Sequence, residues 1–183
     1  PDDALNLFFS FSVNGQESHA VMIQVHDDAP VAQVIDSGVV LDESASHDQT
    51  AMVSLDFGTD GPAAVGNAPV TITAFHGEIG GEPLMLASHG VAVSLRPVAG
   101  DPGAVEGWAG ESRVFRYTIS AEGEEQLLLY QPLDHPDGSD PDDELQIVFD
   151  LIIKDFDGDS AAASVAVAVR DDAPLADASA ERS

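Results

Sequence analysis

Hydrophobic residues alternate with polar ones along two stretches of this chain, in nearly the same way. Leu5, Leu7, Phe9, Phe11 and Val13 occupy every second position, and so do Leu145, Ile147, Phe149, Leu151 and Ile153. Each run is answered after a polar break, by Val21, Ile23 and Val25 in the first case and by Val165, Val167 and Val169 in the second. A period of two places one set of side chains on one face of a strand, so each stretch predicts a β-hairpin with one face on a core. Further strands are expected near 51–57, 70–75, 91–95, 113–119 and 126–130. Clusters of Gly, Pro and Asp at 58–62, 77–83, 97–107 and 134–141 separate them. No segment carries a helical stripe. Short strands at this spacing predict an all-β chain, an Ig-like antiparallel β-sandwich.

The two hairpins are copies. Pro1-Asp2-Asp3 precedes the first and Pro141-Asp142-Asp143 the second; Asp27-Asp28-Ala29-Pro30 closes the first and Asp171-Asp172-Ala173-Pro174 the second. The second copy is four residues longer, and the extra residues fall in its polar break. A repeat of so long a period predicts a window on a tandem array. Residues 1–30 are then the C-terminal hairpin of a preceding unit, 31–174 a complete sandwich, and 175–183 the start of the next linker or unit. An isolated hairpin is marginal in water. The first hairpin is therefore expected to pack on the intact unit or on a neighbouring chain.

Charge narrows the function. The chain has 33 acidic and 6 basic residues, a formal net charge of −27. Nothing here neutralises phosphates, which argues against nucleic-acid partners, and binding to an anionic membrane surface is disfavoured in the same way. No run is long enough to insert in a bilayer. Carboxylates at this density repel one another in a compact fold. Bound divalent cations, high external salt or a tolerant core would each answer that repulsion, and clustering of the acids favours cations. Cysteine is absent, so an extracellular β-protein of this kind needs another staple, for which calcium is the usual substitute.

The acids do cluster. Asp155-Phe156-Asp157-Gly158-Asp159-Ser160 lies in the break of the second hairpin. Three carboxylates at alternate positions around a glycine turn can converge on one Ca2+, with backbone carbonyls completing its six to eight oxygens. The first hairpin has Asn14-Gly15-Gln16-Glu17-Ser18 there, so the turn itself does not require the triplet. Asp27 and Asp28, like Asp171 and Asp172, stand where one unit ends and the next begins, and a shared cation there would stiffen the joint. Asp134 and Asp137 lie in the densest acidic stretch, six acids among residues 134–144, and are candidate ligands of a second loop. Weaker candidates are the 56–62 segment and Leu41-Asp42-Glu43-Ser44, which would begin a strand or close another cation site. The competing reading for each is a solvated turn. The six histidines show no metal-ligand spacing and are expected to lie scattered on the surface. Trp108, Tyr117 and Tyr130 are expected to serve packing. The chain has no Gly-x-Ser-x-Gly, no phosphate loop and no cysteine nucleophile, and an enzyme is the least supported class.

Together the repeat period, Asp56-Phe57-Gly58-Thr59-Asp60-Gly61-Pro62, Leu133-Asp134-His135-Pro136, the 155–160 loop and the closing Asp-Asp-Ala-Pro resemble the long tandem repeats of giant bacterial surface adhesins exported by type I secretion, the RTX adhesins. That resemblance implies an extracellular extender, rigidified by Ca2+, whose partners are neighbouring units of the same chain. In such proteins other domains bind the host or surface ligand during attachment and biofilm formation. The alternatives are a β-sandwich module that binds a glycan or protein, and an acidic surface-layer domain of a salt-adapted organism.

Overall fold

In the computed structural model, which describes residues 4–43, 47–137, 140 and 143–171, the chain is all-β. β1 (Ala4–Val13) and β2 (Gln16–His26) form a two-stranded sheet of their own. Their two-residue turn, Asn14-Gly15, has positive φ at both positions, the geometry that matches the twist of a tight hairpin. The rest is a β-sandwich. One sheet has six strands in the order β4 (Asp48–Met52), β11 (Glu124–Leu129), β10 (Ser112–Ile119), β9 (Asp101–Ala109), β8 (Val91–Val98), β7 (Ala87–Ser88). The other has five, in the order β3 (Gln33–Asp42), β13 (Ser160–Arg170), β12 (Glu144–Lys154), β5 (Val70–Ile79), β6 (Glu82–Leu84). The only helical element among the described residues is a single 3-10 turn at Val65–Asn67. No described helix is long and apolar enough to cross a membrane.

The alternating residues of β12 and β13 line the space between the sheets. Leu145, Ile147, Phe149, Leu151 and Ile153 are buried, as are Val165, Val167 and Val169. The Phe149 ring stacks on Tyr117 of β10 at 3.7 Å between centroids and meets Phe115 edge-on at 5.9 Å. These contacts join the two sheets at their centre.

The structure departs from the sequence expectation in several places. Of the strand expected at 51–57 only Ala51 and Met52 lie in β4, and 77–83, expected as a break, holds the end of β5 and the start of β6. Residues 97–107, expected as a break, contain most of β9. Pro102, Gly103 and Gly107 disguise it, but both glycines answer to packing. A Cβ at Gly103 would strike the carbonyl oxygen of Ile119, and one at Gly107 would enter the Phe115 ring. Residues 33–42, where the sequence offers at most a strand beginning at Leu41, form β3, which ends at Asp42 and runs parallel to β13 from Gln33 beside Ala163 to Asp42 beside Arg170. The other strand pairs in the described sheets are antiparallel, so the sandwich is mixed at this edge. Within this single chain the first hairpin does not bury its apolar faces on the intact unit: Leu5, Phe8, Phe9, Met22 and Ile23 are all exposed, which leaves a neighbouring chain as the expected cover.

Candidate functional site

The joint between the first hairpin and the sandwich is built from three loops. β2 ends at His26, and Asp27 and Asp28 follow at once. Asp28 Oδ2 accepts the Thr59 N–H. Gly58 (φ +77°) lets the chain come this close, since a Cβ there would lie 2.6 Å from Asp28 Oδ2. Asp56 caps the same turn by accepting the Gly58 N–H through Oδ1 at 3.0 Å, and its carbonyl accepts the Val31 N–H at 3.1 Å. The Asp-Asp-Ala-Pro segment is thus fastened to the 56–62 loop at both ends.

The third loop is the β12–β13 turn. It is bound to the 56–62 loop by Phe156 N–H to Gly61 O (3.0 Å) and by a bridge between Pro62 and Asp155. Within it, Asp155 N–H donates to Asp159 O at 3.1 Å and Asp155 Oδ1 accepts the Gly158 N–H at 3.0 Å. Asp155 is 1 % exposed, and its Oδ2 has no hydrogen-bond donor among the described residues. The Asp157 carboxylate lies against it. Burial first, and then this neighbour, raise the Asp155 pKa above the ordinary carboxylate value. Asp27 is raised too, chiefly by desolvation and then by Asp157 and Asp159. Carboxylates pressed together in this way need a shared proton or a cation.

Two overlapping sets of acids result. Asp155, Asp157 and Asp159 form one, and Asp27, Asp60 and Asp157 the other; each set places one oxygen per residue within 4.8 Å of the others. Asp157 belongs to both. Such a group can hold a metal ion, with ligands from both sides of the joint.

The remaining sequence candidates fall elsewhere. Asp28 is a fastener of the joint, adjacent to Asp27. Asp134 accepts the N–H groups of His89 and Gly90, both at 2.7 Å, and so clamps the β7–β8 turn, where His89 has φ 52°. Asp137 lies in the same loop and donates its N–H to Asp143 Oδ2 at 3.1 Å. Neither Asp134 nor Asp137 belongs to a metal-competent group among the described residues. Asp171 stands at the far end of β13 with Glu43 and His135. Asp172 lies outside the described residues.

Sequence reasoning treated the triplet and the Asp-Asp-Ala-Pro segment as separate sites and gave Asp60 little weight. No local signal joins residues 27, 60 and 157; only the fold does. The expectation of surface histidines fails at His135, whose side chain is 1 % exposed. The aromatic residues serve packing. Tyr117 is in the core, Trp108 lies under the Arg96 guanidinium at 4.2 Å and Tyr130 under that of Arg113 at 4.0 Å. An open groove of about 960 Å³ lies near Thr50, Val70 and Ile119, and no aromatic side chain lines it.

Residues 24–168 match the model of a protein family described as a domain of unknown function, DUF5801. The matched span takes in the first Asp-Asp-Ala-Pro segment and every strand of the sandwich but the last two residues of β13. No curated protein matches the chain.

Proposed function

The chain belongs to the DUF5801 family, and we propose that this unit is a calcium-stiffened extender repeat of a large extracellular bacterial adhesin. It would project an adhesive domain for cell attachment and biofilm formation, and its partners would be neighbouring units of the same chain. The observation that carries this reading is the buried Asp155 carboxylate, with one oxygen lacking a donor, set against Asp157, which also faces Asp27 from across the joint. The donor set is oxygen alone, which suits a hard cation, and the surrounding turns offer carbonyls to raise the coordination number. A cation there ties the preceding hairpin to the sandwich and offsets the repulsion among the acids. The role is mechanical and includes no chemical step. Two further features support it: the internal repeat, which ends each copy on the same four residues, and the absence of cysteine.

The test is calcium titration calorimetry with a parallel thermal melt, at fixed ionic strength and with magnesium as control. A site saturated a hundredfold adds about 2.7 kcal/mol. The reading predicts calcium-specific heat and a rise in melting temperature, both lost on Asp155→Ala or Asp157→Ala. A melt that follows total salt and ignores calcium would instead assign the acidity to a salt-adapted surface domain. The groove does not favour a glycan-binding reading, because it offers no aromatic platform.

A further inference from the structure

The other end of β13 carries a group of different chemistry. Its eleven residues span about 35 Å, and just beyond them Asp171 meets Glu43 and His135. Each of the three places a potential ligand atom within 4.8 Å of the others. They come from three separate segments: the residue after β3, the loop before β12 and the residue after β13. Each segment is anchored through its backbone. Glu43 N–H donates to Arg170 O (3.1 Å), Asp171 N–H to Asp143 O (2.9 Å) and Asp134 N–H, next to His135, to Ala87 O (2.8 Å). The Glu43 carboxylate is further oriented by the Leu133 N–H, which donates to Oε1 at 2.9 Å.

His135 is the informative member. Its side chain is 1 % exposed and that of Glu43 3 %, yet neither ring nitrogen has a hydrogen-bond partner among the described residues. Nε2 stands 4.0 Å from Glu43 Oε1, beyond hydrogen-bond reach. Buried polar nitrogens are normally satisfied, and one left over points to a group that completes it. Two ligands bound to one ion at about 2.1 Å each stand no more than about 4.2 Å apart. The Nε2–Oε1 separation fits that limit, and half-buried Asp171 brings an oxygen within 4.8 Å of both.

We propose that Glu43, His135 and Asp171 form a divalent transition-metal site of the zinc class. Imidazole is a poor donor for calcium and a good one for zinc, cobalt and nickel. The two carboxylates neutralise the charge, and the Leu133 N–H holds the Glu43 carboxylate in place. The proposal stands apart from the calcium reading, because the donor set contains nitrogen and lies at the opposite end of the sandwich. Its position gives it a place in the joint all the same. Asp171 repeats Asp27, which faces the acids of the unit that follows it. The same aspartate position therefore looks back to a histidine site and forward to an all-oxygen one.

The test uses the full 183-residue chain held in saturating calcium, so that the acidic loops are occupied, and titrates it with Zn2+ and then Co2+. One equivalent of zinc should raise the melting temperature, and bound cobalt should give a visible ligand-field band. In 15N NMR, a His135 ring nitrogen should shift on zinc addition. His135→Gln should weaken zinc by at least the 10–100-fold typical of lost support around a metal. It should leave the calcium heat unchanged. Asp171→Asn should weaken zinc with less disturbance of the core. Zinc uptake of equal affinity in His135→Gln and the wild type would overturn the proposal, as would no uptake or an unshifted His135 ring. If His135→Gln fails to fold, the ring shift and Asp171→Asn decide alone.

Discussion

β1–β2 and β12–β13 pair in the same register: Leu5 with Val25 and Leu145 with Val169, Phe9 with Val21 and Phe149 with Val165. Yet Phe9 is 51 % exposed and Phe149 0 %. What differs is the neighbourhood. β12 has β5 on one side and β13 on the other, β13 has β3 beyond it, and the six-stranded sheet covers their inner face. Among the described residues, the first hairpin pairs only within itself. Alternation and a good turn are enough to set a strand pair, and burial comes from the elements that lie beside and above it.

The comparison breaks most sharply at the matched phenylalanines. Phe149→Ala removes a ring stacked between the sheets and should cost about 3–5 kcal/mol in denaturant unfolding. Phe9→Ala should change the same transition by no more than about 0.5 kcal/mol. Equal losses would mean that the hairpin shares the sandwich core in solution.

The loops of the two hairpins offer the next contrast. Grafting Asn14-Gly15 in place of residues 155–159 should keep β12 and β13 paired, because the first copy closes that way. It should abolish the calcium-dependent gain of about 2.7 kcal/mol expected at hundredfold saturation. Circular dichroism reports the first outcome and the melt with and without chelator the second. A calcium response that survives the graft would move the site away from this turn.

A smaller effect sharpens the joint itself. Gly58→Ala places a Cβ in a left-handed backbone, at about 1–2 kcal/mol, and drives it against Asp28 Oδ2. Hydrogen exchange at the Thr59 amide, which Asp28 accepts, should speed up while amides of β10 stay protected. Unchanged exchange at Thr59 would show that Asp28 does not hold that loop.

The smallest expected change concerns a feature the first hairpin lacks. Tyr117 donates to Glu125 Oε2 at 2.7 Å inside the sandwich, and burial raises the Glu125 pKa above its ordinary 4.5 despite that bond and one from Ser37. A carboxyl whose folded pKa is raised contributes its full stability below about 4.5 and loses it as pH rises through the folded value. Glu125→Gln, which cannot ionise, should therefore match the wild type at low pH. It should become the more stable of the two as pH increases. A difference that shrinks as pH rises would reverse the assigned sign.

Much of the fold was legible because its signal is local. The period-two runs at 5–13 and 145–153 need only the strand pleat to be read. Asn14-Gly15 declares its turn, and Asp155, Asp157 and Asp159 lie in one loop where any compact turn brings them together. β9 was hidden because Gly103 and Gly107 answer to Ile119 and Phe115, contacts no neighbouring residue announces. β3 was hidden by a bulge. Gly38 takes φ 69° and the register with β13 shifts between Ala166 and Ala168, so the alternation fails midway. Asp27, Asp60 and Asp157 share a site only after β2, the 56–62 loop and the β12–β13 turn have converged, and His135 reads as a surface residue until Glu43 is set beside it.

The parallel edge of the sandwich has one more consequence. The chain enters the unit beside Asp56, runs along β3, and leaves at the end of β13, the strand next to it and pointing the same way. Tension applied at those two points pulls the neighbours lengthwise past each other. The bonds between Gln33–Asp42 and Ala163–Arg170 then lie across the load and share it, so they must fail together. An antiparallel edge would open like a zipper, one bond at a time. Load applied at those two points therefore meets this edge in shear.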